Sequence, residues 1–148
     1  MEGKRLPADE ELDLFLQDRQ EHLDQLILPT LEKGDWVILD RYYFSTLAYQ
    51  SLNGFTIEAL RQKNEAFAPQ PDLLIILQLT PQISLERIAA RNEGTTAFEK
   101  VDLLTHCANV FNSLESEPFA HLINADQSIE SITQNIQQEI QTRFQLNA

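Results

Sequence analysis

Asp40 and Arg41 close a short apolar run, Trp36-Val37-Ile38-Leu39, and this order is where the sequence speaks most directly of chemistry. A run this short and wholly apolar predicts a strand buried on both faces of a parallel sheet. Ligands of such sheets bind beyond the carboxyl ends of the strands. There the aspartate could hold or orient a hydrated Mg²⁺, and the arginine could grip a phosphate in its planar fork. The same dipeptide also suits a plain ion pair at a strand end. Three further pairs stand four residues apart, so each shares one helix face: Phe15 with Arg19, Ser45 with Tyr49, and Arg87 with Arg91. By themselves they read equally as a core ring with a solvated cation, a half-buried aromatic, and solvated helix arginines.

The elements that must carry these residues alternate between helix and strand, the pattern of an α/β chain with a parallel sheet. A first helix is predicted from about Asp9 to about Leu31. Acidic residues Asp9, Glu10 and Glu11 complement the dipole of its first turn, and Leu12, Phe15, Leu16, Leu23, Leu26 and Ile27 form its apolar stripe. Pro29 is expected to kink it or start a second short helix, and Gly34 to end it. After the strand at 36–39 come a short helix around Ser45–Leu52, a turn at Asn53-Gly54, and a helix over about Ile57–Phe67. Leu73–Leu77 predicts a second buried strand. Thr80-Pro81 caps a helix reaching about Arg91, and a polar loop leads into a helix over about Phe98–Leu114. Phe119–Ile123 predicts a third strand. A last helix begins near Ser128 with Ile129, Ile132, Ile136 and Ile140 on its buried face.

Composition narrows the class. The 148 residues suit one domain, residues 1–148, with 43% hydrophobic and 23% charged residues. A formal net charge of −12 argues against a nucleic-acid surface. It leaves room for a small anion met by a few arginines in one cleft. The single cysteine, Cys107, excludes an internal disulfide and fits a reducing compartment. His22, His106 and His121 show no metal-ligand spacing with one another or with Cys107. No run approaches the roughly 18 apolar residues of a membrane span, and the residues from Met1 to Pro7 do not form a signal peptide. The expected setting is cytoplasmic, without nucleic acid or membrane as partner.

Taken together and in order, these segments resemble the thymidylate kinase family. Leu14-Phe15-Leu16-Gln17-Asp18-Arg19 is similar to its Leu-Phe-x-x-x-Arg helix. Asp40-Arg41-Tyr42, then Phe44-Ser45, then Ala48-Tyr49-Gln50 looks like its monophosphate-binding segment, and Ala68-Pro69-Gln70-Pro71-Asp72 looks like the entry to its next strand. The likeness runs from about Leu12 to Ile136. It implies a nucleoside monophosphate kinase fold, a parallel sheet flanked by helices, and transfer of the γ-phosphoryl of ATP to dTMP with Mg²⁺. It implies that Phe15 stacks on thymine and Arg19 hydrogen-bonds its 4-oxygen. Cytosine carries an amino group there and would be disfavoured. Arg41 would bind the monophosphate, Ser45 would share the nucleotide face, Tyr49 would pack on the sugar, Gln50 would reach the base, and Asp40 would serve the metal, directly or through water. A lid at about 91–99 would bring Arg87 and Arg91 to the transferring phosphoryl group, where arginines neutralise developing charge. The family also implies a homodimer.

One expected part is not in the sequence. A phosphate-binding loop reads Gly-x-x-x-x-Gly-Lys-Ser/Thr after a strand, and Gly3-Lys4-Arg5 does not match it. The resemblance places that loop and a central first strand ahead of the matched region, so the fold is expected to be incomplete at its amino end. Phosphoryl transfer by the chain alone is expected to be about a thousandfold or more impaired. The expectation is a truncated reading of a longer gene or a natural fragment. Two other functions stay open: a non-catalytic module that binds dTMP or another protein, and a deoxynucleoside kinase relative, which shares the Asp-Arg strand end.

Overall fold

The computed structural model describes residues 6–90 and 97–146. They fall into two compact units, Met1–Gln70 and Pro71–Ala148.

The first unit is helical. Helix α1, Ala8–His22, carries Asp9, Glu10 and Glu11 in its first turn and Arg19 and His22 in its last, both matched to the helix dipole. It runs on through a π-helical turn, Leu23–Ile27, into the short α2, Leu28–Glu32. Pro29 gives the reason for the wide turn. Proline has no N–H to donate, and in α geometry its ring would collide with the carbonyl four residues back. The ladder opens instead, and the Leu28 N–H donates to Leu23 O, five residues back. Gly34 ends the helix at φ +80°, in the left-handed region that glycine enters without a steric penalty. Helix α3, Tyr43–Gln50, continues into a 3₁₀ turn, Ser51–Asn53. Helix α4, Ile57–Glu65, is capped by Thr56, whose Oγ1 accepts from the Ala59 N–H at 3.1 Å. Leu12, Leu23, Ile27, Tyr43, Phe44, Leu47, Ala48 and Leu60 form the core. Each large side chain fully withdrawn from water stabilises the unit by about 1.5–3 kcal/mol.

The second unit holds a two-stranded parallel sheet. Strand β1, Leu74–Gln78, pairs with β2, Ala120–Asn124, in the register Leu74↔Ala120 to Gln78↔Asn124. Between them lie α5, Pro81–Ala90, and α6, Ala97–Asn112, followed by a 3₁₀ turn, Ser113–Ser116. Such an excursion is what a parallel pair requires. Helix α7, Ile129–Phe144, closes the unit and is capped by Ser128, which accepts from the Ser131 N–H at 3.2 Å. Ile76, Val110, Leu114, Phe119 and Ile123 make up the apolar centre.

The strand expected at Trp36–Leu39 is not formed. Residues 35–39 belong to no helix or ladder, and Ile38 is 89% exposed. Apolar composition makes a strand only where a neighbour supplies its hydrogen bonds and helices cover its faces. Among the described residues the first unit contains no strand. The stripe expected on α7 is also weaker than its period suggests: Ile132, Ile136 and Ile140 are half-buried, and Ile129 is 79% exposed. On α1 the inner edge of the stripe, Leu12, is buried while Phe15 faces outward. No helix among the described residues is long and apolar enough to cross a membrane.

Candidate functional site

The first unit gathers most of the sequence-marked residues around α3. Asp40 and Arg41 are exposed where the irregular segment 35–39 turns into that helix. Arg41 makes the turn at φ +68°, a left-handed backbone conformation that costs a non-glycine residue about 1–2 kcal/mol. Strain of this kind persists where the surrounding structure fixes it, and it clusters at ligand sites. Here the turn sets the Arg41 guanidinium against Tyr49, one helix beyond. Its Nη1 donates to the Tyr49 hydroxyl at 3.3 Å, and its central carbon lies 5.7 Å from the ring centroid. Ser45 is half-buried on the same helix, one turn before Tyr49.

Arg19 reaches across from α1 to both neighbouring helices. Its Nη1 donates to Asn64 Oδ1 of α4 at 2.5 Å, its Nη2 donates to Thr46 Oγ1 of α3 at 3.1 Å, and its central carbon sits 5.8 Å from the centre of the Tyr42 ring. Burial holds its pKa below the ordinary guanidinium value, while Tyr42, the adjacent Asp18 and Tyr43 act in the opposite direction. The cation is therefore half-desolvated on neutral acceptors and an aromatic face, with no carboxylate among the described residues bonded to it. Such a group interacts strongly with any acceptor brought to its remaining N–H bonds. Phe15, one turn earlier on α1, exposes 46% of its surface. Tyr42 is fixed in turn by its hydroxyl, which donates to Pro69 O at 3.2 Å. Burial raises the Tyr42 pKa, opposed by the charge of Arg19.

Gln50 takes a different position from Tyr49. It is buried, its Nε2 donates to Glu11 Oε2 at 3.1 Å, and its Oε1 accepts from Asn53 Nδ2 at 2.8 Å. With both ends of the amide engaged, contact with a ligand would require one of these bonds to break.

Behind the site, Glu65 accepts from the Tyr43 hydroxyl at 2.8 Å and from Arg61 Nε at 2.8 Å. Burial acts to raise its pKa, but the hydrogen bonds from Tyr43 and Arg61 prevail and hold the carboxyl below its ordinary value.

In the second unit, Arg87 on α5 donates from Nη2 to Ala125 O at 3.0 Å, just beyond β2, with Asp126 Oδ1 at 3.8 Å. Arg91 and residues 92–96 of the expected lid lie outside the described residues. Among the described residues no group of three His, Cys, Asp or Glu could hold a metal ion. Mg²⁺ bound with nucleotides needs only one or two protein oxygens, the rest coming from phosphates and water, and Asp40 is an exposed carboxylate that could supply one.

Sequence reasoning missed Tyr42, Thr46 and Asn64. A signal was present. Asn64 falls on the apolar face of α4 at the helical interval after Leu60, and Thr46 falls among Tyr43, Leu47 and Gln50 on the inner face of α3. Polar residues on inward faces need partners, and a cation on the facing helix can supply one.

The sequence is similar to known proteins along most of its length. A family model described as thymidylate kinase matches residues 2–136. The chain is 45% identical over 128 residues to a thymidylate kinase of Xanthomonas oryzae pv. oryzae, covering 86% of this chain and 56% of that protein. It is 44% identical over 133 residues to one of Desulfotalea psychrophila, covering 89% and 65%. With one of Akkermansia muciniphila the identity is 42% over 140 residues, covering 95% and 67%. The chain thus spans between 56% and 67% of the length of these three relatives. With a parallel sheet flanked by helices and a family match across nearly its whole length, this chain belongs to the thymidylate kinase family.

Proposed function

We propose that the first unit is the dTMP-binding part of an enzyme that converts ATP and dTMP to ADP and dTDP. The observation that supports this most is the half-buried Arg19 guanidinium, held on neutral partners. Its remaining N–H bonds suit a carbonyl at the 4-position of thymine, and Phe15 offers a ring for the base to stack on. Arg41 takes the 5′-phosphate in its fork, Tyr49 packs against the deoxyribose, and Ser45 adds a hydroxyl on the same face. Gln50 serves the base through its neighbourhood rather than by direct contact. Asp40 would hold Mg²⁺, in part through water; the ion neutralises charge on the ATP phosphates. Arg87 and Arg91 would face the transferring phosphoryl group, whose chemistry asks mainly for positioning and neutralisation. The reading includes a cytoplasmic setting and a homodimer.

The sequence contains no Gly-x-x-x-x-Gly-Lys-Ser/Thr loop, which favours a second reading for the chain as it stands: dTMP binding without turnover. Calorimetry with dTMP, dCMP and UMP, run beside an ADP-release assay, separates the two. Tight dTMP binding with no ADP release supports the second; release supports the first. In either case dTMP should bind in preference to dCMP. Arg19→Ala should reduce that preference about tenfold or more, since a hydrogen bond to a charged donor contributes about 1.5–3 kcal/mol. An unchanged preference in Arg19→Ala would remove Arg19 from base recognition.

A further inference from the structure

The strength of the Arg19 arrangement lies in a residue that itself need never touch a ligand. Asn64 is completely buried, at 0% exposure, on the inner face of α4. Its Nδ2 donates to Leu60 O at 2.7 Å within its own helix. That bond fixes which end of the amide is which, so Oδ1 points at Arg19 and accepts from Nη1 at 2.5 Å. The buried amide thus has both ends satisfied, and one of them is spent on a side chain 45 residues earlier.

Asn64 and Thr46 each take one Nη group of the guanidinium, and the Tyr42 ring covers one face. A guanidinium has five N–H bonds. Two acceptors on its two Nη groups fix rotation about the terminal C–N bonds as well as the plane of the fork. The acceptors are neutral, so the charge is not cancelled. An aspartate or glutamate in the same place would hold the group equally well while satisfying most of its attraction for a ligand oxygen. Asparagine separates the two tasks: it orients and leaves the field intact.

We propose that Asn64 is a positioning residue for nucleobase selectivity, setting the Arg19 fork so that its outer N–H bonds meet a carbonyl and reject an amino group. The inference rests on the reading of the first unit as a dTMP site. A misaligned donor loses most of a hydrogen bond's strength, since the bond weakens steeply away from linearity. A swinging guanidinium would also find acceptors on either base. Selectivity is therefore the quantity that falls first.

The test uses the chain as it exists. Calorimetry gives the ratio of dTMP to dCMP affinity for the wild type, Arg19→Ala, Asn64→Leu and Asn64→Asp. Asn64→Leu keeps the volume but removes the acceptor, and should lower the ratio about tenfold. Asn64→Asp restores an oxygen that holds the fork and should recover part of the ratio, with weaker binding of both nucleotides because its charge takes up part of Arg19's attraction for a ligand oxygen. A structural role alone would not produce rescue in the ratio. If wild type shows a preference that Arg19→Ala loses and Asn64→Leu keeps, the assignment of Asn64 is overturned while the dTMP reading stands. If wild type shows no preference, the dTMP reading itself fails. Should Asn64→Leu not fold, nitrogen-15 NMR of the wild-type arginine side chains decides, with Arg19 identified by its loss in Arg19→Lys. Separate, slowly exchanging Nη signals for Arg19 support a clamped fork; one averaged signal overturns it.

Discussion

Tyr43→Ala should unfold the first unit at temperatures where the wild type is intact. Tyr43 is completely buried between its chain neighbours, with ring centroids 4.8 Å from Tyr42 and 4.2 Å from Phe44. Removing a buried aromatic ring costs about 3–5 kcal/mol through lost transfer energy and the cavity left behind. Total stabilities run about 5–15 kcal/mol, so the variant would keep little margin. Tyr43→Phe isolates the hydroxyl. It keeps the rings and loses only the bond to Glu65, and should cost about 1–2 kcal/mol. Urea unfolding followed by circular dichroism gives both values. Equal midpoints for Tyr43→Ala and wild type would show that this ring is not part of the core. The Phe variant should also respond differently to pH. Glu65 has a depressed carboxyl pKa in the folded chain, so its contribution is present above the ordinary value of 4.5 and is lost as pH falls through the lower folded value. Without the Tyr43 hydroxyl the folded pKa rises toward the ordinary one, and that part of the acid sensitivity should shrink.

Arg41→Ala should weaken dTMP binding by about thirtyfold to a hundredfold. A fork gripping phosphate makes charge-assisted bonds, each contributing about 1.5–3 kcal/mol, and an exposed site loses part of this to water and salt. Calorimetry at two salt concentrations checks both points: the wild type should weaken as salt rises, and Arg41→Ala should weaken much less. A variant that binds dTMP as the wild type does would place the phosphate elsewhere. Arg41 carries a second signature. At φ +68° the backbone favours glycine, so Arg41→Gly should be more stable than Arg41→Ala by about 1 kcal/mol while binding equally poorly. Stability and affinity would then move independently at one position, as expected where strain is kept for the sake of a side chain's aim.

The helices were legible in the sequence because local rules dictate them. Thr56 and Ser128 cap α4 and α7, Thr80-Pro81 opens α5, and Gly34 ends the first long run. Strands β1 and β2 were legible within a residue or two from their apolar runs. The segment Trp36–Leu39 was not, because a strand depends on what lies beside it and the chain's local composition says nothing of that. At the site, spacing put Phe15 with Arg19 and Ser45 with Tyr49 on shared helix faces, and only the resemblance to the thymidylate kinases marked Arg19, Arg41 and Tyr49 as nucleotide-binding candidates. Neither showed that Arg19 would be half-buried or that Thr46 and Asn64 would receive it. Those contacts join α1, α3 and α4, and side-chain pairing between distant segments leaves only a faint trace in sequence: a polar residue on an inward face.

The π turn at Leu23–Ile27 gives the long first helix one surplus residue in its winding. A surplus residue is slack. Between Arg19 on one side and Gly34 on the other, the helix can absorb a length change by tightening or loosening that single coil, leaving the face that carries Phe15 and Arg19 undisturbed. Insertions and deletions elsewhere along α1 would rotate that face by about 100° per residue. A change in the length of this helix is therefore accommodated with least disturbance at one coil, downstream of Phe15 and Arg19.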